Sequence, residues 1–179
     1  VPVASTGISL NAESVKTTYF VGDTFDASGL KVWLIKNNGE KEEITGYRIA
    51  ETGPLTEDIT SVTVEYEGYT ASIRISVLPV QVTRLEIEQA PSKTEYSAGE
   101  AFDSAGMLVR AYYNNGTDAL IGDYTVTPEI LSQGVTAVTI YYGGQSVNQA
   151  VSVAAAPIPE DAPQIVVESK TATMGQTVT

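Results

Sequence analysis

The sequence has no histidine and no cysteine among its 179 residues. These absences exclude Ser-His-Asp and Cys-His nucleophilic sites, His-ligated metals, thiolate zinc sites and disulfides. Basic residues are also scarce, with ten Lys and Arg against 22 Asp and Glu and a formal net charge of -12. Such an excess of negative charge repels phosphate backbones and anionic lipids, so we expect no nucleic-acid partner and no membrane partner.

Long apolar runs are missing as well, and none approaches the roughly 20 residues that a membrane span needs. The first residue is Val1, with no methionine and no basic and apolar leader, so we expect a processed or excised piece of a longer protein. The acids are spread evenly: residues 1–79 carry eleven acids and six bases, and residues 80–154 carry eight and three. Both segments therefore have a net charge of -5, and neither forms a polyacid tail.

What the sequence does contain is an internal repeat. An offset of 77 aligns residues 16–49 with residues 93–126 without a gap, and 13 of these 34 positions are identical. After one deleted residue the match resumes at an offset of 76, for example between Tyr66 and Tyr142. Two copies of one unit, each about 75 residues long and able to close a modest core, are therefore predicted.

Hydrophobicity within each copy alternates with a period of two, as in residues 30–35 and 62–67. Asn-Asn-Gly turns at 37–39 and 114–116 supply residues that tolerate a positive φ, as hairpins require. We predict strands near residues 7–12, 16–21, 29–36, 40–44, 46–50, 60–67 and 70–78, repeated about 77 residues on. The pattern predicts an all-β protein of two tandem Ig-like antiparallel β-sandwiches.

The repeated residues also carry a resemblance. The pattern K-T-x-Y-x-x-G-[DE]-x-F-D-x-x-G-[LM]-x-V, then N-N-G, then V-T-[VI]-x-Y-x-G, resembles the bacterial immunoglobulin-like domain family. That family occurs in tandem arrays in surface and secreted proteins of Gram-positive bacteria and shares no catalytic residues. The resemblance implies an extracellular protein, at the cell surface or secreted, in which the modules act as spacers or in adhesion.

The domain boundaries predicted from these patterns are residues 1–79 for module 1 and 80–154 for module 2. Pro79 and three further residues join them, and we expect a short, stiff joint. Residues 155–163 are rich in Pro and Ala and predict an extended linker. Residues 164–179 resemble the opening strands of a cohesin-like module and are too short to bury a core. We interpret them as the start of a truncated third β-module.

Acidic residues offer the first candidate chemistry. Asp23 and Asp26 lie three apart in a loop, which invites a calcium site, although Asp26 is more simply an Asx-turn former before Gly29. Adjacent or alternating glutamates, at 42 and 43 and at 65 and 67, are interpreted as solvated strand faces and not as a glycosidase pair. We therefore expect no catalytic residue, no metal and no cofactor.

Repeated Lys16 and Lys93 offer a second possibility, an isopeptide bond to an Asn. The repeated Asn residues are expected in exposed turns, so we interpret both lysines as solvated strand-edge residues that discourage aggregation. The repeated tyrosines, such as Tyr19 and Tyr96, are interpreted as structural, with rings in the core and hydroxyls bonded at its rim.

Aromatic residues that the repeat does not share are the candidates for contact with a ligand or a neighbouring module: Trp33, Tyr69, Tyr112 and Tyr113. The register of its strand places Trp33 opposite the apolar face, where it can stack on a sugar ring or pack on a sheet face or a neighbouring module. Its counterpart in the second copy is Arg110, which argues against a ligand site common to both modules.

Two functions remain open. The first is a non-catalytic spacer or adhesion tandem that positions neighbouring functional domains. The second is a carbohydrate-binding accessory module of a secreted glycoside hydrolase, with contact through Trp33 and nearby tyrosines. We expect a monomer whose partners are neighbouring modules of the same polypeptide, with host or cell-wall glycans or proteins as further candidates.

Overall fold

A computed structural model describes residues 1–156, which form sixteen β-strands and no helix. The predicted linker from residue 157 onward and the predicted third module lie outside the described residues. The strands of module 1 are β1 (Ser5–Asn11), β2 (Thr18–Phe20), β3 (Lys31–Lys36), β4 (Lys41–Ile44), β5 (Arg48–Ile49), β6 (Ser61–Tyr66), β7 (Tyr69–Arg74) and β8 (Ser76–Leu78). Those of module 2 are β9 (Val82–Gln89), β10 (Glu95–Ser97), β11 (Leu108–Tyr113), β12 (Asp118–Ile121), β13 (Thr125–Thr127), β14 (Ala137–Tyr142), β15 (Gln145–Ala150) and β16 (Ser152–Ala154).

Each module contains three sheets in the same arrangement. In module 1, the antiparallel sheet β1-β3-β4 faces the antiparallel sheet β5-β6-β7 across the core, and β2 pairs with β8. Module 2 repeats this arrangement as β9-β11-β12, β13-β14-β15 and β10-β16. The two short pairs, β2-β8 and β10-β16, are parallel, whereas every other pairing is antiparallel in the described part of the chain. The all-β tandem predicted from the repeat is confirmed.

The buried residues form two separate clusters, one in each module. Alternation explains the clusters, because Val32 and Leu34 of β3 are buried while Trp33 between them is only partly so. Burying a side chain of this size contributes roughly 1.5–3 kcal/mol. The largest fully buried side chains are Tyr19, Val32, Leu55, Val62 and Val64 in module 1, and Val109, Leu131, Val138 and Ile140 in module 2.

The last predicted strand of each module differs from the structure. Residues 70–78 do not form a single strand, because the chain leaves the sheet of β7 at Ile75 and re-forms as β8 beside β2. The amide of Ser76 donates to the Thr17 carbonyl at 2.8 Å, which places the chain against a new neighbour. Ile73, Ile75 and Val77 all remain buried, so the apolar alternation continues through the change of sheet.

Candidate functional site

Trp33 lies on the outer face of module 1, in the central strand of sheet β1-β3-β4. Its backbone is paired with Ser9 on one side and Glu43 on the other, and its side chain is half-buried. Ile35 follows on the same face, opposite Gly7. A side chain added at Gly7 would meet nothing within 4 Å, so the sheet is uncovered beside this apolar pair. The structure therefore places Trp33 on an open sheet face, as its register predicts.

The equivalent face of module 2 is covered by its own charged side chains. The Arg84 guanidinium stacks over the Tyr112 ring, 3.8 Å from its centroid, and the Tyr112 hydroxyl donates to Glu86 at 3.0 Å. Hydrogen bonds from Arg84 and Tyr112 hold the pKa of the Glu86 carboxyl below its ordinary value. Arg110, at the position of Trp33, is ion-paired with Glu88 and Asp118. Tyr112 is thus engaged by its own module.

Tyr69 and Tyr113 lie elsewhere. Tyr69 packs against the core of module 1, and its hydroxyl donates to the Ser5 carbonyl at 2.7 Å, which ties β7 to β1. Tyr113 lines an open groove of about 520 Å³ with Tyr142 and residues 80–82, next to the joint between the modules. A hydrogen bond that the Tyr142 hydroxyl donates to Tyr113 raises the pKa of Tyr142. The four aromatic candidates therefore do not come together in one site.

The carboxylates of Asp23 and Asp26 accept hydrogen bonds from nearby backbone amides. The Asp23 carboxylate accepts from the Phe20 amide at 3.0 Å and from Lys16 at 3.3 Å, and Glu100 makes the equivalent contacts in module 2. Asp26 accepts from the Ser28 amide at 2.9 Å, which is the predicted Asx turn. In the described part of the chain no three Asp or Glu side chains cluster where a metal ion could bind, and no helix of these residues is long and apolar enough to cross a membrane.

The repeated lysines have more specific contacts than a solvated role predicts. Lys16 Nζ lies 4.6 Å from the centroid of the Tyr19 ring, and Lys93 Nζ lies 4.7 Å from that of Tyr96. Because each lysine also pairs with the loop carboxylate of its module, it joins the loop to the rim of the core. Three of the paired glutamates form salt bridges across strand pairs: Glu42 with Lys36 at 2.9 Å, Glu43 with Lys31 at 4.0 Å and Glu65 with Arg48 at 3.9 Å.

The Asp23 contacts predict a pH dependence of stability. Above all the hydrogen bond from the Phe20 amide, and then Lys16, hold the pKa of Asp23 below its ordinary value. The stabilisation is therefore fully present above the unfolded-state pKa, about 4, and is lost as the pH falls through the lower folded-state pKa. We expect Asp23→Asn to flatten the dependence of the module 1 melting temperature between pH 6 and pH 2, monitored by circular dichroism. Glu57→Gln, at an exposed acid of the same module, is the control, and an equal slope in wild type and Asp23→Asn would contradict the assignment.

Sequence reasoning missed the contacts that Asn37 and Asn114 make with the residues just before the first strand of each module. The Asn114 amide group donates from Nδ2 to the Pro79 carbonyl at 3.0 Å and accepts at Oδ1 from the Gln81 amide at 2.9 Å. Asn37 makes the same contacts with Pro2 at 3.0 Å and Ala4 at 3.2 Å. The signal was present, because a Pro-Val pair also recurs at the offset of 77, at 2–3 and at 79–80.

Two β-sandwiches with separate cores, repeated in tandem, define a protein of the Ig-like class. The chain belongs to the bacterial Ig-like domain family, group 3, whose model matches residues 12–77 and 89–153. The match confirms the resemblance that the repeated residues carry.

Among curated proteins, the chain is similar to pectate lyase L of Thermoclostridium stercorarium, with 30% identity over 111 residues. The match covers 61% of this chain and 9% of the length of that protein. Among solved structures it is similar to domains 4 and 5 of the S-layer protein SbsC, with 15% identity, a TM-score of 0.34, and coverage of 86% of this chain and 99% of that chain. A structure of SbsC domains 1–6 matches with 16% identity and a TM-score of 0.33, covering 86% of this chain and 28% of that chain.

Proposed function

We propose that this chain is a non-catalytic pair of Ig-like modules that positions neighbouring domains of a longer extracellular or cell-surface protein. The observation that carries the proposal is the duplication of a complete sandwich whose polar groups serve the fold. The loop carboxylates of both modules bind backbone amides and lysines, and the repeated tyrosine hydroxyls bind backbone atoms at the core rim. These groups are committed to structure, which is what a spacer requires.

The family and the similarity to pectate lyase L support this role. The match covers only 9% of that enzyme's length, which is consistent with a small accessory segment of a longer protein. The net charge of -12 favours solubility and disfavours non-specific contact with anionic surfaces.

A surface-display experiment tests the positioning role. A reporter enzyme would be anchored to cells through the whole chain, through module 1 alone, or through a Gly/Ser linker with the same number of residues. We expect turnover of a bead-immobilised substrate to be highest with the whole chain, because two folded modules hold the reporter further from the cell wall than a flexible coil does. Equal turnover with all three linkers, or turnover by the chain without the reporter, would contradict the proposal.

A specific observation favours carbohydrate contact as a second candidate function. Arg84 is stacked on Tyr112 on the outer face of module 2, whereas in module 1 the equivalent pair beside Trp33 is Gly7 and Ile35, with open space around Gly7. A half-buried indole beside the small residues Gly7 and Ser9 of the neighbouring strand can stack on the C–H face of a pyranose ring.

We expect Trp33→Ala to weaken glycan binding by on the order of 10- to 30-fold, since truncating an aromatic anchor costs roughly 2 kcal/mol. Binding would be measured on a glycan panel that includes pectate, because one relative is a pectate lyase. Tyr112→Ala in module 2 is the matched control, and melting temperatures show that both variants are folded. Absence of binding at millimolar glycan, or equal loss in both variants, would rule out this second function.

A further inference from the structure

We propose that the two modules are joined by a single-axis hinge at Pro79, because the side chain of Asn114 holds the linker residues that follow it. The inference adds a mechanism to the proposed positioning role and depends on that role for its biological use. Two sets of hydrogen bonds support the inference, one on each side of Pro79. Groups of module 1 form the first set and groups of module 2 form the second.

On the module 1 side, the last fixed group is the carbonyl of Leu78. Strand β8 pairs with β2 up to Phe20 and Leu78, and the Val21 amide donates to the Leu78 carbonyl at 3.0 Å. The peptide bond between Leu78 and Pro79 is planar, so fixing this carbonyl also fixes the plane that contains the Pro79 nitrogen. Module 1 therefore holds the chain up to that nitrogen.

On the module 2 side, the first fixed group is the carbonyl of Pro79 itself. Asn114 Nδ2 donates to it at 3.0 Å, and Asn114 Oδ1 accepts from the Gln81 amide at 2.9 Å. The Asn114 backbone amide closes the set by donating to the Gln81 carbonyl, also at 2.9 Å. One asparagine thus holds the linker through its backbone and through both ends of its side-chain amide.

Only one rotation is left between these two anchors. The pyrrolidine ring fixes φ of Pro79 near about -65°, so ψ of Pro79 is the single soft dihedral angle of the joint. The Pro79 carbonyl and Asn114 both lie on the module 2 side of that rotation, so turning the angle moves them together and leaves their hydrogen bond intact. Asn114 therefore limits motion between the modules to this one axis, and without its hydrogen bonds the dihedral angles of Val80 would be soft as well.

Distances between spin labels test the hinge directly. The chain has no native cysteine, so Thr45→Cys and Gly122→Cys place one label at equivalent exposed positions of each module. A side chain at Gly122 has open space around it. By double electron–electron resonance on the full chain, we expect a narrow distance distribution that broadens by about twofold in Asn114→Ala, because the dihedral angles of Val80 are then free as well.

The repeat supplies the matched control. Asn37→Ala removes the same side chain from the same turn of module 1, where it holds residues 2–4 and not the joint, so the distribution should stay unchanged. Pro79→Gly, which leaves the turn intact, should broaden the distribution as Asn114→Ala does. Amide NMR spectra show whether module 2 stays folded in each variant. A wild-type distribution as broad as that of Pro79→Gly, or no response to Asn114→Ala in folded protein, would overturn the hinge while leaving the display experiment unaffected.

Discussion

Replacing Leu131 with alanine should destabilise module 2 by about 2–5 kcal/mol, the usual cost of emptying a fully buried leucine site. Leu131 is completely buried and belongs to the core cluster of module 2 alone. A unit of this size has roughly 4–11 kcal/mol of stability, so the loss is a large fraction of the total. The melting temperature of module 2 should fall by on the order of 10–30 °C, while that of module 1 stays in place.

Module-resolved amide NMR signals, followed during heating, would measure the two transitions separately. Leu55→Ala is the reciprocal variant, since Leu55 occupies the equivalent position in the core of module 1. Leu120→Ala is the surface control, because Leu120 is 50% exposed and its truncation should change stability by only about 0.5 kcal/mol. If Leu131→Ala lowered both transitions together, the two cores would unfold as one cooperative unit, which contradicts two modules with separate cores.

Gly143→Ala should cost about 2–5 kcal/mol for two separable reasons. Gly143 has φ +55°, a left-handed conformation that costs an L-residue roughly 1–2 kcal/mol. A Cβ atom at this position would also lie 2.9 Å from Val82 Cβ, and overpacking of this kind costs about 1–3 kcal/mol. In module 1 the same turn carries Glu67 at φ 48°, with Ser5 at the position of Val82. Serine is smaller than valine, so module 1 has room for a side chain at this turn position, whereas Val82 fills that space in module 2.

Two variants separate these contributions. Gly116→Ala also forces an alanine to a positive φ, +84°, but its Cβ meets nothing within 4 Å, so it should lose only the conformational part. In a Val82→Ser background, Gly143→Ala should cost about 1 kcal/mol less than in the wild type, since the methyl groups of Val82 are gone. Urea unfolding of the full chain gives the free energies. Equal costs for Gly143→Ala and Gly116→Ala would remove the steric argument.

Most of the fold could be predicted because the repeat shows the same alternation of hydrophobic residues and the same turn residues twice. Alternation in β3 placed Val32 and Leu34 in the core, and Asn-Asn-Gly marked the hairpin that follows. The break at Ile75 was missed because burial on the same side continues from Ile73 to Val77 while hydrogen bonding passes from one sheet to another. Periodicity reports which side of a strand is buried, and not which strand is its neighbour.

The contacts of Tyr112 and Asn114 were harder to predict from the sequence than the fold. Trp33 was placed correctly by its register, but the cover over Tyr112 depends on Arg84, which lies on another strand 28 positions earlier in the chain. The hydrogen bond between Asn114 and Pro79 spans 35 positions and joins a side chain to a backbone carbonyl. Residue type alone cannot predict such a bond, because asparagine in this kind of turn more often bonds to neighbouring backbone groups.

The hydrogen bond between Asn114 and Pro79 also determines where a module should be cut if it is to be moved into another protein. Since the linker is bound by a turn within module 2, a segment of residues 79–156 contains the downstream half of its own joint. Copies of that segment could be placed one after another, each bringing the asparagine that restrains its attachment to the module before it. A segment cut at residue 83 would keep the sandwich but lose this attachment, so the length of an array and the stiffness of its joints could be chosen separately.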